Sequence, residues 1–167
     1  MAALLTMIRP RDLGRAMPAV AAVRAAAGAV LVMFSFGKFI HHDAEVAAFD
    51  RYGIPLPEAA TTLTGVLELV GGLLLVAGLF TRPVALAFAA ELALAVATAG
   101  RIEGGAVHLG LAPALIAAML ALAWAGAGRP SVDALLATRP ARAEGIPAAT
   151  SPGEMPGMPP QAAQKPL

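Results

Sequence analysis

Four ionisable side chains stand inside runs of sequence that are otherwise apolar: Arg24, Lys38, Glu68 and Glu91. A charged group in the hydrocarbon layer of a membrane is expensive unless it is paired or reaches water, so each is a functional candidate by default. Their formal charges cancel, two cations against two anions. Such a set can line a polar pocket for a headgroup, a quinone or a proton. It can also serve only to fix which helices are neighbours, because a buried ion pair contributes more reliably to specificity than to stability. His108 adds a group able to carry a proton or ligate a metal, although a single histidine near a membrane interface is more often simply hydrated.

The elements that must position these residues are read from hydropathy. Of 167 residues, 58% are apolar and 14% are charged, against about 25% charged in soluble domains. Four runs approach the roughly 20 apolar residues that cross a bilayer. They cover about 17–40, 57–80, 83–99 and 105–125. Pro57 with Glu58 suits a first helical turn, Thr81 ahead of Arg82 and Pro83 can cap the third span, and Gly100 can end it. The expected fold is therefore all-α, a four-helix transmembrane bundle, flanked by an N-terminal segment (1–16) and a Pro/Ala-rich tail (128–167) that is mostly disordered. Within the tail, Ser131 to Thr138 could form one or two helical turns.

Charge sets the orientation. Arg9, Arg11, Arg15, Arg82, Arg129, Arg139 and Arg142 flank one side, and Arg51 and Arg101 the other, which places both termini in the cytoplasm. The alternative of a cleaved signal peptide is disfavoured, because Arg24 interrupts the first run and the run is too long. With a net charge of +1 and no basic surface, no nucleic-acid partner is expected. With no cysteine, the chain cannot itself perform thiol chemistry or hold an iron-sulfur cluster.

Depth then suggests partners. Arg24 and Lys38 lie on one face of the first helix, about 40° apart around it and about 21 Å apart along it. Arg24 and Glu91 each lie about 10 Å above the cytoplasmic boundary, which predicts an inner pair. Glu68 lies nearer the outer half, which predicts an outer pair with Lys38. Gly65, Gly71, Gly72 and Gly78 repeat at intervals of seven and, with Gly28, read as helix-packing positions. Pro113 lacks the N–H that would bond the Leu109 carbonyl and should kink the fourth helix just beyond His108.

Between the first two spans, Asp43 can cap a short interfacial helix with Val46, Phe49 and Tyr52 on one side and Gly53 and Pro55 ending it. His41, His42, Asp43 and Glu45 carry ligand-type groups, but adjacent histidines point apart on a helix, and no metal site is expected. No phosphate loop or nucleophile motif is present, and no catalytic residue can be assigned.

Three stretches, RAAAGAVLVMFSFGKF, FDRYGIPLP and ELVGGLLLVAGLFTRPVAL, carry a resemblance to the DoxX family of small membrane proteins, over about Val23 to Trp124. The motif elements are Arg24, Gly28, Gly37 with Lys38, Gly53 with Pro55, and Glu68 with Gly71 and Gly72. Glu91 and His108 lie outside that motif. The resemblance implies a four-helix protein of the bacterial plasma membrane. It also implies association with thiosulfate oxidation to quinone, as a subunit, or with membrane complexes that protect against oxidative stress. The expectation is accordingly a membrane component of a redox or stress-related complex, more a non-catalytic subunit than a self-sufficient enzyme, whose pocket binds quinone or a small anion. No covalently bound cofactor is expected. The bilayer, a soluble redox or stress-defence protein and a second copy of the chain are the expected partners. A scaffold acting through the Pro-rich tail and a small proton-linked transporter are the alternatives.

Overall fold

In the computed structural model, which describes residues 11–137, the chain is helical and four of its segments are long and apolar enough to cross a membrane. The first span is α1 (Met17–Ile40), preceded by a single 3-10 turn. A short helix, α2 (His42–Arg51), follows, then the second span α3 (Pro57–Ala77). The third span is α4 (Thr81–Ala97), extended by one turn as α5 (Ala99–Ile102). The fourth begins with a π-helical turn over Val107–Leu111 and continues as α6 (Ala112–Ala125). A last short helix, α7 (Val132–Ala137), closes the described chain.

The ends of these helices follow from sequence chemistry. Pro57 occupies a first-turn position, where a missing N–H leaves no bond unmade. Gly78 ends α3 in the left-handed region at φ 73, so that Leu79 N–H reaches the Leu74 carbonyl and Gly78 N–H the Leu75 carbonyl. The second span thus stops three residues earlier than hydropathy suggests. At Pro113 the irregularity takes the form of the π turn immediately before it, a wider coil that accommodates a residue without a donor.

The bundle is built from two tightly packed pairs, first with second span and third with fourth, joined by lighter contacts. Gly28 and Gly72 make the first pair close: a Cβ on Gly28 would meet the Gly72 carbonyl at 2.7 Å, and one on Gly72 would meet the Gly28 carbonyl at 2.9 Å. Gly71 instead admits the Phe88 ring from the third span, and Gly65 lies against Lys38 and Phe39. Leu31, Leu75, Phe88, Leu115, Met119 and Leu122 fill the centre. Leu63, Val66 and Leu73 point outward, as lipid-facing side chains do.

One expectation is corrected here. Thr81 does not cap the third span; its hydroxyl is buried without a hydrogen-bond partner among the described residues. The cap comes from Asp133, whose carboxylate accepts from Phe80 N–H at 2.9 Å and Thr81 N–H at 3.1 Å, and whose own N–H donates to the Gly78 carbonyl at 2.8 Å. These bonds also hold Phe80 in the left-handed region, at φ 52. After the fourth span, α7 falls within the stretch read as one or two helical turns: Ser131 Oγ accepts from Ala134 N–H as its cap, and Asp133 is 1% exposed. The tail beyond it lies outside the described residues.

α2 begins one residue before Asp43 and packs on the second span, with Val46, Phe49 and Tyr52 half-buried on the side that meets the bundle. Gly53, at φ 72, ends it.

Candidate functional site

Lys38 enters the bundle from the last turn of α1 and Glu68 from the middle of α3, and the two form the expected outer pair. Lys38 Nζ donates to both oxygens of the Glu68 carboxylate, at 3.0 and 2.8 Å. The residues are 9% and 7% exposed. Gly65, one turn from Glu68, leaves the room in which the Lys38 stem lies. Two of the three ammonium protons and the whole charge of Lys38 are thereby committed to one partner.

Glu91 comes from the third span to the same place. Both of its carboxylate oxygens are buried, and neither has a hydrogen-bond partner among the described residues. With Lys38 and Glu68 it lines a cavity of about 470 Å³ between the two helix pairs. The apolar wall includes Leu31, Phe34, Phe49, Leu92, Leu111 and Leu115. Met33 and Leu94 also line it and are largely exposed on the flank of the bundle, so the cavity runs from the interior to the lipid-facing surface.

α2 and the turn after the third span form the mouth. Tyr52, Glu103 and His108 line it, with Glu45 nearby on α2. Arg51 donates to Glu103 at 3.1 Å. The Glu103 carboxyl is held below its ordinary range by hydrogen bonds from Tyr52 and Arg51. The Tyr52 phenol is pushed up to about 12, first by burial and then by its hydrogen bond with Glu103. His108 Nδ1 lies 3.2 Å from the Gly104 carbonyl, and its ring meets Tyr52 edge to face at 6.5 Å. Hydropathy does not single out Glu103, which lies in the turn after the third span; Tyr52 is signalled by the apolar side of the short interfacial helix and by the FDRYGIPLP stretch.

Arg24 is elsewhere. It does not meet Glu91, and the expected inner pair is not formed. The guanidinium, 3% exposed, sits at the opposite end of the first span and, among the described residues, donates to backbone carbonyls. Nε bonds Ala127 at 2.9 Å, Nη1 bonds Leu75 and, at 2.8 Å, Val76, and Nη2 bonds Pro130 at 2.8 Å. Leu75 and Val76 belong to the last turn of α3, where the helical ladder runs out of donors; the Leu75 carbonyl accepts from Gly78 N–H as well. Arg24 is thus a side-chain cap for the second span and an anchor for the segment after the fourth. Gly78 belongs to this arrangement rather than to helix packing: a Cβ there would lie 2.6 Å from the Arg24 guanidinium and 2.6 Å from Ser131. Rise per residue places Arg24 and Glu91 at similar depth, but depth says nothing of rotation about the axis, and a guanidinium's five donors are met as well by carbonyls as by a carboxylate.

The histidines at the end of α1 do not converge. His42 Nδ1 lies 3.1 Å from the Lys38 carbonyl, and no group of three acids or histidines is placed to hold a metal among the described residues.

Residues 19–101 match the DoxX family. This is a DoxX-family membrane protein. The match covers the first three spans and stops before the fourth, short of the Trp124 limit expected from the sequence motifs. The inner membrane protein YphA of Escherichia coli (strain K12) is 32% identical over 85 residues, which are 50% of this chain and 61% of that protein. The chain thus covers less than two thirds of that relative's length. No solved structure matches. Four spans, the family and an inner-membrane relative together make it a multi-pass protein of the bacterial plasma membrane.

Proposed function

We propose that this DoxX protein is the membrane component of a redox or oxidative-stress-related complex, and that the cavity at Lys38, Glu68 and Glu91 binds a quinone headgroup. The observation that carries the reading is Glu91: two buried carboxylate oxygens without a partner among the described residues, in the wall of an apolar cavity beside the Lys38–Glu68 ion pair. Buried polar groups are normally hydrogen-bonded, and one left open in a cavity is suited to a ligand. A volume of about 470 Å³ lies within the ordinary range for small-molecule sites, and the wall reaching the bundle flank suits a molecule that arrives through the lipid.

The charge of the wall argues against a small anion. Glu45, Glu68, Glu91 and Glu103 outnumber Lys38, and Lys38 is already bound to Glu68. A neutral headgroup with an apolar tail fits better. Because the chain has no cysteine, electrons would come from a partner protein. With both termini cytoplasmic, as the arginine distribution argues, the mouth at Tyr52 and His108 opens in the periplasmic half. The scaffold alternative rests on the tail beyond 137, outside the described residues.

The test is mass spectrometry of small molecules that co-purify with the full chain in mild detergent, from wild type and Glu91→Leu. Quinone retained by the wild type and lost from a folded variant is the expected result. Wild-type protein that retains no quinone when extracted from quinone-rich membranes would refute the proposal.

A further inference from the structure

The hydrogen-bonding valences at the cavity are unequal, and this bears on which form of the ligand the site prefers. The argument rests on the quinone reading above. Lys38, the cation beside Glu91, is paired with Glu68 and directs two of its N–H groups at that carboxylate, at 3.0 and 2.8 Å. His108 faces the Gly104 carbonyl with Nδ1, and Tyr52 and Arg51 are engaged with Glu103. What remains open in the interior is the third Lys38 N–H, which can donate alike to a quinone carbonyl or a quinol hydroxyl and so does not discriminate between them, and the Glu91 carboxyl, both of whose oxygens lack a partner among the described residues.

An oxidised quinone presents two carbonyl oxygens, which only accept. A quinol presents two hydroxyls, each of which donates and accepts. An ionised Glu91 can only accept, so it can bond a quinol but not a quinone. A protonated Glu91 can bond either, since its O–H can donate to a carbonyl or a hydroxyl while its other oxygen accepts from a hydroxyl alone. In both states the quinol leaves fewer buried valences open. We infer that the cavity selects the reduced form, with a quinol hydroxyl donating to Glu91. One additional bond to a buried, otherwise unpartnered carboxyl corresponds to about tenfold in affinity or more. By linkage, a tenfold preference for the quinol raises the midpoint potential of the bound two-electron couple by about 30 mV.

The experiment compares a short-chain ubiquinone with the same molecule reduced, titrated anaerobically into the full chain in lipid nanodiscs by calorimetry. The wild type should bind the quinol at least about tenfold more tightly. Glu91→Gln, whose amide adds two donors and keeps one acceptor, should narrow or reverse that ratio. Equal affinities, or a tighter quinone, in the wild type would overturn the inference and leave quinone binding intact. Binding of neither form would overturn both. A wild-type preference that persists unchanged in a folded Glu91→Gln protein would assign the selectivity to another group and overturn the role of Glu91. If the variant does not fold, the wild-type ratio still decides.

Discussion

The two ends of the first span carry the same kind of residue in opposite circumstances. At one end Arg24 is buried with its donors distributed over the carbonyls of Leu75, Val76, Ala127 and Pro130. At the other, Lys38 and Glu68 satisfy each other while Glu91 beside them has no partner among the described residues. Both ends would be marked as functional by the rule that charges in membranes are expensive. The difference between them is not charge or depth but remaining valence. A buried ion whose hydrogen bonds are all made within the protein is part of the architecture, whereas one with bonds still to make can take a ligand.

The sharpest way to break this comparison is to remove each group in turn. Arg24→Met strips donors from the last turn of the second span and from the segment after the fourth. We expect a loss of about 3–5 kcal/mol or failure to accumulate in the membrane. Glu91→Leu removes no hydrogen bond among the described residues and relieves a buried carboxyl of its desolvation cost, so thermal unfolding, followed by circular dichroism in micelles, should show the variant as stable as wild type or more so, by up to about 1–3 kcal/mol. Comparable losses in the two variants would show that Glu91 has structural partners and that the distinction is false.

The ion pair gives an intermediate case. Glu68→Leu leaves the Lys38 ammonium buried and uncompensated, at about 3 kcal/mol. Adding Lys38→Met removes that penalty, and the double variant should recover to wild-type stability or exceed it. Arg24 offers no such rescue, since its partners are backbone carbonyls that no second substitution can delete. A double variant as unstable as the single one would mean that the pair holds the first and second spans together.

Asp133 tests the closed end from its other side. Asp133→Ala should lower stability by about 1–2 kcal/mol through loss of the cap on the third span. It should also expose the segment at 127–137 to protease, because the Asp133 carboxylate ties that segment to Phe80 and Thr81. Unchanged proteolysis would indicate that Arg24 and the backbone bonds from Arg129 to Met17 and from residue 133 to Gly78 suffice to retain it.

These particulars show which parts of the molecule were legible in advance. Spans, and their ends to within a few residues, follow from hydropathy and from Pro and Gly punctuation, because the bilayer imposes a length on every helix. The Lys38–Glu68 pair was legible because the two interrupt apolar runs in adjacent antiparallel spans, with Lys38 at the outer end of one and Glu68 towards the outer half of the other, within reach of a lysine's long stem. The pairing of Arg24 was not, because side-chain donors that end on backbone carbonyls leave no mark in residue types. Asp133 was missed because its cap spans about 50 residues of sequence, while capping signals are local. Ser131, three residues before Ala134 at the start of an apolar run, was the sign that the segment after the fourth span is structured.

The smallest expected effect concerns the mouth, where Tyr52, Arg51 and Glu103 join α2 to the end of the third span. The Glu103 carboxyl is depressed by its hydrogen bonds from Tyr52 and Arg51, so it favours the closed mouth above the usual carboxylate range and loses that contribution as pH falls through the folded value. Tyr52 is shifted the other way. Its raised value favours the closed mouth below about 10, a contribution lost as pH rises towards about 12. Because Tyr52 is the single tyrosine of the chain, tyrosinate absorbance reports it alone. The wild type should titrate near 12, and Glu103→Gln should titrate lower, since the acceptor carboxylate is gone while burial remains. A wild-type midpoint near 10 would mean that the mouth stands open in solution. The contrast between a closed end and a gated one would then give way to a contrast between a closed end and a freely accessible one.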